Sequence, residues 1–95
     1  RRAVPAANAR LAVAPRALRL TFSEVVELAV ARVTLLGPDG APVPLAPLTT
    51  PPDSATVLVA AIPGALVPGG YAVRWQVVGR DGHPVRGTYR FEVLP

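Results

Sequence analysis

Neither cysteine nor methionine occurs in this 95-residue chain. Without cysteine there is no disulfide frame and no thiolate metal site. Without methionine the thioether ligands that favour Cu(I) are gone as well. Lysine is missing too, since all ten basic residues are arginine. No apolar run is long enough for a transmembrane helix: the longest, "VLVAAIPGALVP", is broken by two prolines and a glycine, so no stable membrane insertion is expected. No signal peptide is visible, and one that had directed export would already be gone. The chemistry of enzymes is thinly represented. There is no Ser-His-Asp set, no evident pair of catalytic carboxylates and no glycine-rich phosphate loop, so the expectation is a protein that is not an enzyme.

What is present points to one small all-β domain spanning residues 1–95. Ninety-five residues make room for a single core. Just over half the residues are hydrophobic, at 51%. Aromatics are scarce (Phe22, Tyr71, Trp75, Tyr89, Phe91), so valine, leucine and alanine must do most of the filling. Twelve prolines and eight glycines interrupt helices and mark turns and strand ends. The net charge is +4, but the arginines form no tract, and the exposed aromatic ladder of single-strand binders is not evident. A nucleic-acid partner is therefore not expected.

Local patterns sharpen the picture. In "ALRLTFS" (17–23) Leu18, Leu20 and Phe22 alternate with Arg19, Thr21 and Ser23, the period of a half-buried strand. "VARVTLL" (30–36) reads as a second, closed by the turn "GPDG". "EVVELA" between them is ambiguous, and one helical turn capped by Ser23 fits. "APVPL" suits only a short edge strand, because proline cannot donate to a ladder. "LAPLTTPPD" is loop, "ATVLVAA" (55–61) a strand and "IPGALVPGG" a long turn region. The N-terminal fifteen residues are expected to add one strand ending near Pro15. The clearest signal comes last. In "YAVRWQVV" (71–78) Tyr71, Val73, Trp75 and Val77 share a face, and in "TYRFEV" (88–93) so do Tyr89, Phe91 and Val93. These runs pair as an antiparallel hairpin with four of the five aromatics inside. The architecture expected is a sandwich.

The hairpin's connection, residues 79–87, contains the only histidine. Asp-Gly is a preferred tight-turn dipeptide because glycine tolerates positive φ, so the plain reading of Asp81, Gly82 and His83 is a solvated turn. The other reading is a metal half-site. A residue before proline is pushed towards extended backbone, and in extended chain residues two apart point to one side. Asp81 and His83 then offer a carboxylate and an imidazole, a sulfur-free pair suited to Cu(II) or Zn(II). Two ligands are too few for a complete site.

"LRLTFSE" (18–24), then "RVTLLGPDG", then the closing block "GGYAVRWQVVGRDGHPVRGTYRFEV" together resemble the CopC family of periplasmic copper-resistance proteins, in order and over nearly the whole chain. The resemblance implies a seven-stranded Greek-key β-barrel or sandwich, immunoglobulin-like or cupredoxin-like in arrangement. It implies a periplasmic or extracellular carrier or buffer of Cu(II), alone or beside a membrane copper-transport protein. Carried over residue by residue, it makes Asp81 and His83 copper ligands and places Glu24 near the site, behind the ligands at most. The family's remaining ligand is a mature N-terminal histidine giving its α-amine and ring. Here Arg1 falls a few residues after that position. The α-amine of Arg1 could coordinate, but nothing replaces the ring. The missing methionines match members that bind Cu(II) only. The alternative is an immunoglobulin-like accessory domain that no longer binds metal, in which Arg80, Arg86 and Arg90 around the hairpin meet an acidic partner.

Overall fold

The computed structural model describes residues 2–95. Eight strands run β1 (Arg2–Val4), β2 (Arg10–Leu11), β3 (Ala17–Thr21), β4 (Arg32–Leu36), β5 (Pro42–Val43), β6 (Val57–Ala61), β7 (Gly69–Val78) and β8 (Pro84–Val93). They form a three-stranded sheet, β1-β3-β6, facing a five-stranded one, β2-β8-β7-β4-β5. The class is the all-β sandwich expected. No helix among the described residues is long and apolar enough to cross a membrane.

The long hairpin β7–β8 organises the molecule. Its antiparallel register runs from Gly69 opposite Val93 to Val78 opposite Pro84. The period-two pattern turns Tyr71, Val73, Trp75 and Val77 inward, against Leu18 and Leu20 of β3 and Leu58 and Ala60 of β6. Leu18, Leu35, Leu58 and Val73 lose essentially all contact with water, each worth about 1.5–3 kcal/mol by transfer. The aromatics divide between two parts of this core. Tyr71 stacks on Phe91, with centroids 5.4 Å apart. Trp75 meets Phe22 edge-on at 5.2 Å, nearer the hairpin's tip.

Three local expectations differ from the structure. First, the last strand begins at Pro84 rather than Thr88. A first strand residue has no ladder bond that proline must forgo, and the pairing carries Gly87 opposite Trp75. A β-carbon on Gly87 would lie 2.4 Å from the indole Cζ2, so the glycine that read as loop is the gap into which the tryptophan fits. Second, Ser23 caps no helix. Among the described residues the one turn of 3₁₀ helix is Leu28–Val30, and its cap residue Glu27 makes no side-chain cap bond. Val26 is buried and bridges to Gly79, and Glu27 N–H donates to Val78 C=O at 2.9 Å. Pairing with the β7 end thus overrides local helix preference at 24–27.

Third, the N-terminal segment makes two strands instead of one, which raises the count from seven to eight. β1 pairs antiparallel with β3 in one sheet, and β2 pairs parallel with β8 in the other. Between them Asn8, at φ 66°, donates its N–H to Arg90 C=O at 2.7 Å.

One buried phenol makes the fold sensitive to alkali. Tyr89 Oη is out of solvent with no hydrogen-bond partner among the described residues, and burial pushes its pKa up to about 12. A folded value above the unfolded one, near 10, means that this contribution is complete below pH ~10 and is lost as pH rises towards 12. Urea titrations at stepped pH should show the wild type losing stability across that window relative to Tyr89→Phe. Parallel pH curves for the two proteins would contradict the assignment.

Candidate functional site

Residues 79–83 turn the chain between β7 and β8. Gly82 N–H donates to Gly79 C=O at 2.9 Å, and Gly79 N–H donates to His83 C=O at 3.3 Å. Gly82 sits at φ 83°, a left-handed conformation that glycine takes without a Cβ penalty. The Asp-Gly step is therefore a hairpin turn, as its composition indicates, and the turn also assembles a polar pair.

Asp81 reaches His83 twice. Its Oδ1 accepts the His83 backbone N–H at 3.1 Å, and its Oδ2 lies 3.1 Å from the ring Nδ1. The His83 N–H, and after it the ring, hold the Asp81 carboxyl below the usual carboxylate range. A depressed folded value means that the contact is fully present above the unfolded pKa and fades as pH falls through the folded one. Both side chains stand in water, His83 81% and Asp81 60% exposed. Proximity here comes from a short side-chain-to-backbone loop rather than from two residues of extended strand.

This pair has the form of a metal-binding imidazole with its orienting carboxylate. When Nδ1–H donates to Asp81, Nε2 carries the lone pair and faces outward with no hydrogen bond to a described residue. A second ring nitrogen held by a carboxylate is the usual outer-sphere arrangement around a metal-bound histidine. Each carboxylate oxygen of Asp81 keeps a further lone pair beyond its contact with His83, so the group can orient the ring or offer an oxygen to a metal.

Glu24 comes to the same end of the sandwich. A β-carbon built on Gly79 would lie 3.2 Å from Asp81 Oδ1 and 3.5 Å from Glu24 Oε2. Both acids line an open recess of about 550 Å³ with Ser23, Val25, Thr56 and Arg80. His83 is not part of that lining. Among the described residues no three of His, Cys, Asp and Glu gather to hold a metal. The α-amine of Arg1, the other donor that the sequence offers, lies outside the described residues. Arg80, which the sequence puts beside Asp81 on the hairpin connection, shares that lining with both acids, and Thr56 is the lining residue that sequence reasoning did not place here.

The direction of β1 bears on any further donor. Arg2 pairs with Thr21 and Val4 with Arg19, so the N-terminal end of β1 points the way β3 leaves towards Ser23 and Glu24. That is the end of the sandwich where the Asp81–His83 turn lies.

Comparison with known proteins agrees with this architecture. The CopC domain family matches residues 1–94. Protein YobA of Escherichia coli K12 is 37% identical over 89 residues, covering 94% of this chain and 72% of that protein. Copper resistance protein C of Escherichia coli is 36% identical, covering 95% of this chain and 75% of that protein. Among solved structures, CopC from Methylosinus trichosporium OB3b superposes with a TM-score of 0.89 at 32% identity, covering 98% of this chain and 89% of the other. PcoC, a copper resistance protein from Escherichia coli, gives 0.87 at 28% identity, covering 98% and 96%.

Proposed function

The chain belongs to the CopC family, and from that premise we propose that it binds Cu(II) at the β7–β8 turn as a periplasmic or extracellular carrier in copper resistance. The observation that carries this reading is the exposed His83 imidazole, steered by Asp81 with one ring nitrogen turned to solvent. Imidazole and carboxylate oxygen without sulfur suit Cu(II) or Zn(II), and copper is the metal in the names of this chain's relatives.

His83 supplies one nitrogen. Asp81 either fixes that ring or joins it as an oxygen ligand. Glu24 adds negative charge beside the site without touching the metal. The third donor is an N-terminal histidine preceding Arg1, and the course of β1 towards this end supports that placement. With its donors supplied by protein, the site serves carriage rather than catalysis. A membrane copper transporter is the partner such a carrier would serve.

The test is a Cu(II) titration under a competing chelator. This chain is compared with one extended at its N-terminus by its native residues. Tight binding by the extended chain alone supports the three-donor reading. Equal and weak binding by both would overturn it and leave a domain that has kept the fold and lost the metal.

A further inference from the structure

Beyond the metal turn, the outer face of the five-stranded sheet carries a grid of arginines whose neighbouring acid on that face, Glu92, is ion-paired with Arg10 rather than with any of them. The register sets Arg32, Gln76 and Arg86 in one cross-strand row, Thr34, Arg74 and Thr88 in the next, and Leu36, Ala72 and Arg90 in the third. Arg74 is thus the centre, with Arg32, Arg86 and Arg90 as its three diagonal neighbours, each about 7–8 Å away between backbones. All four arginines are exposed. Among the described residues none has a carboxylate within ion-pair distance, for the ion pairs formed are Arg10–Glu92 and His83–Asp81. The short threonines flanking Arg74 leave a recess of about 390 Å³, lined also by Arg32, Gln76 and Arg86 and by no acidic residue.

Four like charges at this spacing repel one another, and the isolated domain gains nothing electrostatic from them. Guanidinium groups do match carboxylates bidentately, and threonine hydroxyls and the Gln76 amide add donors between them. We propose that this face docks an extended, carboxylate-rich segment of a partner protein, with Arg74 as its central anchor. Alternate residues of an extended segment project to one side about 6.8 Å apart, close to the diagonal spacing of the arginines. A lipid surface fits less well, because the large apolar side chain in these rows, Leu36, is only partly exposed and sits at their edge, away from the Arg32–Gln76–Arg86 row. The proposal does not rest on the copper reading, and its test is run without metal.

The probe is a synthetic peptide in which glutamate alternates with serine, titrated into isotopically labelled protein and followed by backbone amide shifts. Shifts should gather in residues 32–36, 72–76 and 86–90. Affinity should fall about tenfold or more in Arg74→Gln, the loss of a charge-assisted contact, and fall again with added salt. The melting temperature of Arg74→Gln should equal or exceed that of the wild type, which separates docking from folding. The same peptide with glutamine for glutamate should not bind. Shifts elsewhere on the molecule, or an affinity indifferent to Arg74, would overturn the proposal. So would binding to phosphatidylglycerol vesicles or single-stranded DNA without binding to the peptide.

Discussion

Trp75→Ala is expected to lower the unfolding free energy by about 3–5 kcal/mol and to leave copper affinity at the hairpin turn unchanged. The indole is 6% exposed, rests edge-on against Phe22 and covers Gly87, whose Cα leaves no space for a further carbon. Truncation removes the most deeply buried ring from the half of the core that Leu20, Val26, Ala31, Leu58 and Val77 share, with the partly buried Phe22 and Tyr89 packed against it. Those neighbours are short and branched, and they are tied into strands, so they can close the void only in part. Against a typical domain stability of about 5–15 kcal/mol, a loss of that size leaves a marginal fold. Denaturant titration reads the effect directly. A stable Trp75→Ala protein with weakened copper binding would reassign the ring from core to metal site.

The second large effect belongs to His83. In a chain carrying its native N-terminus, His83→Ala is expected to abolish tight Cu(II) binding while the melting temperature barely moves. The stability half rests on exposure. His83 contacts Asp81 through its ring and little else, and surface substitutions of this kind usually fall within about 0.5 kcal/mol. The affinity half rests on His83 being the only imidazole in the 95 residues. Asp81→Asn separates the two roles open to that carboxylate. Loss of an orienting partner costs roughly 10–100-fold in metal affinity, whereas loss of a direct ligand costs more. Coordination needs a ring nitrogen free of its proton, so affinity falls on acidification. The lowered pKa of Asp81 keeps the carboxylate ionised further into that range. Chelator competition at two pH values measures all three effects. Unchanged affinity in His83→Ala would refute the site.

Where side chains alternate between apolar and polar, the sequence predicted the fold well. Leu18 and Leu20, Tyr71 through Val77, and Phe91 with Val93 all face where period two puts them. Prediction failed where pairing partners, rather than side-chain pattern, decide the backbone. Pro84, Val85 and Arg86 show no alternation because all three are exposed, yet they extend β8 by pairing with the equally long β7. The ambiguous segment at 24–27 is held extended by Gly79 and Val78, contacts that no local window contains. The alanine-rich N-terminus gives too weak a pattern to show that it serves two sheets. At the candidate site, Asp81 and His83 were legible as a pair because they are neighbours in sequence. Arg80 comes with them as the chain neighbour of Asp81, whereas the approach of Glu24 depends on how β3 leaves its sheet.

The split use of residues 2–11 has a consequence for handling the protein. β1 edges one sheet and β2 edges the other, so this stretch works as a buckle across the sandwich as well as a lead-in to the end that holds the proposed metal turn. Deleting it to remove a ligand would unfasten both sheets together, and any loss of copper would then be uninterpretable. Single substitutions ahead of Arg2, or added residues, change the ligand and leave the buckle closed.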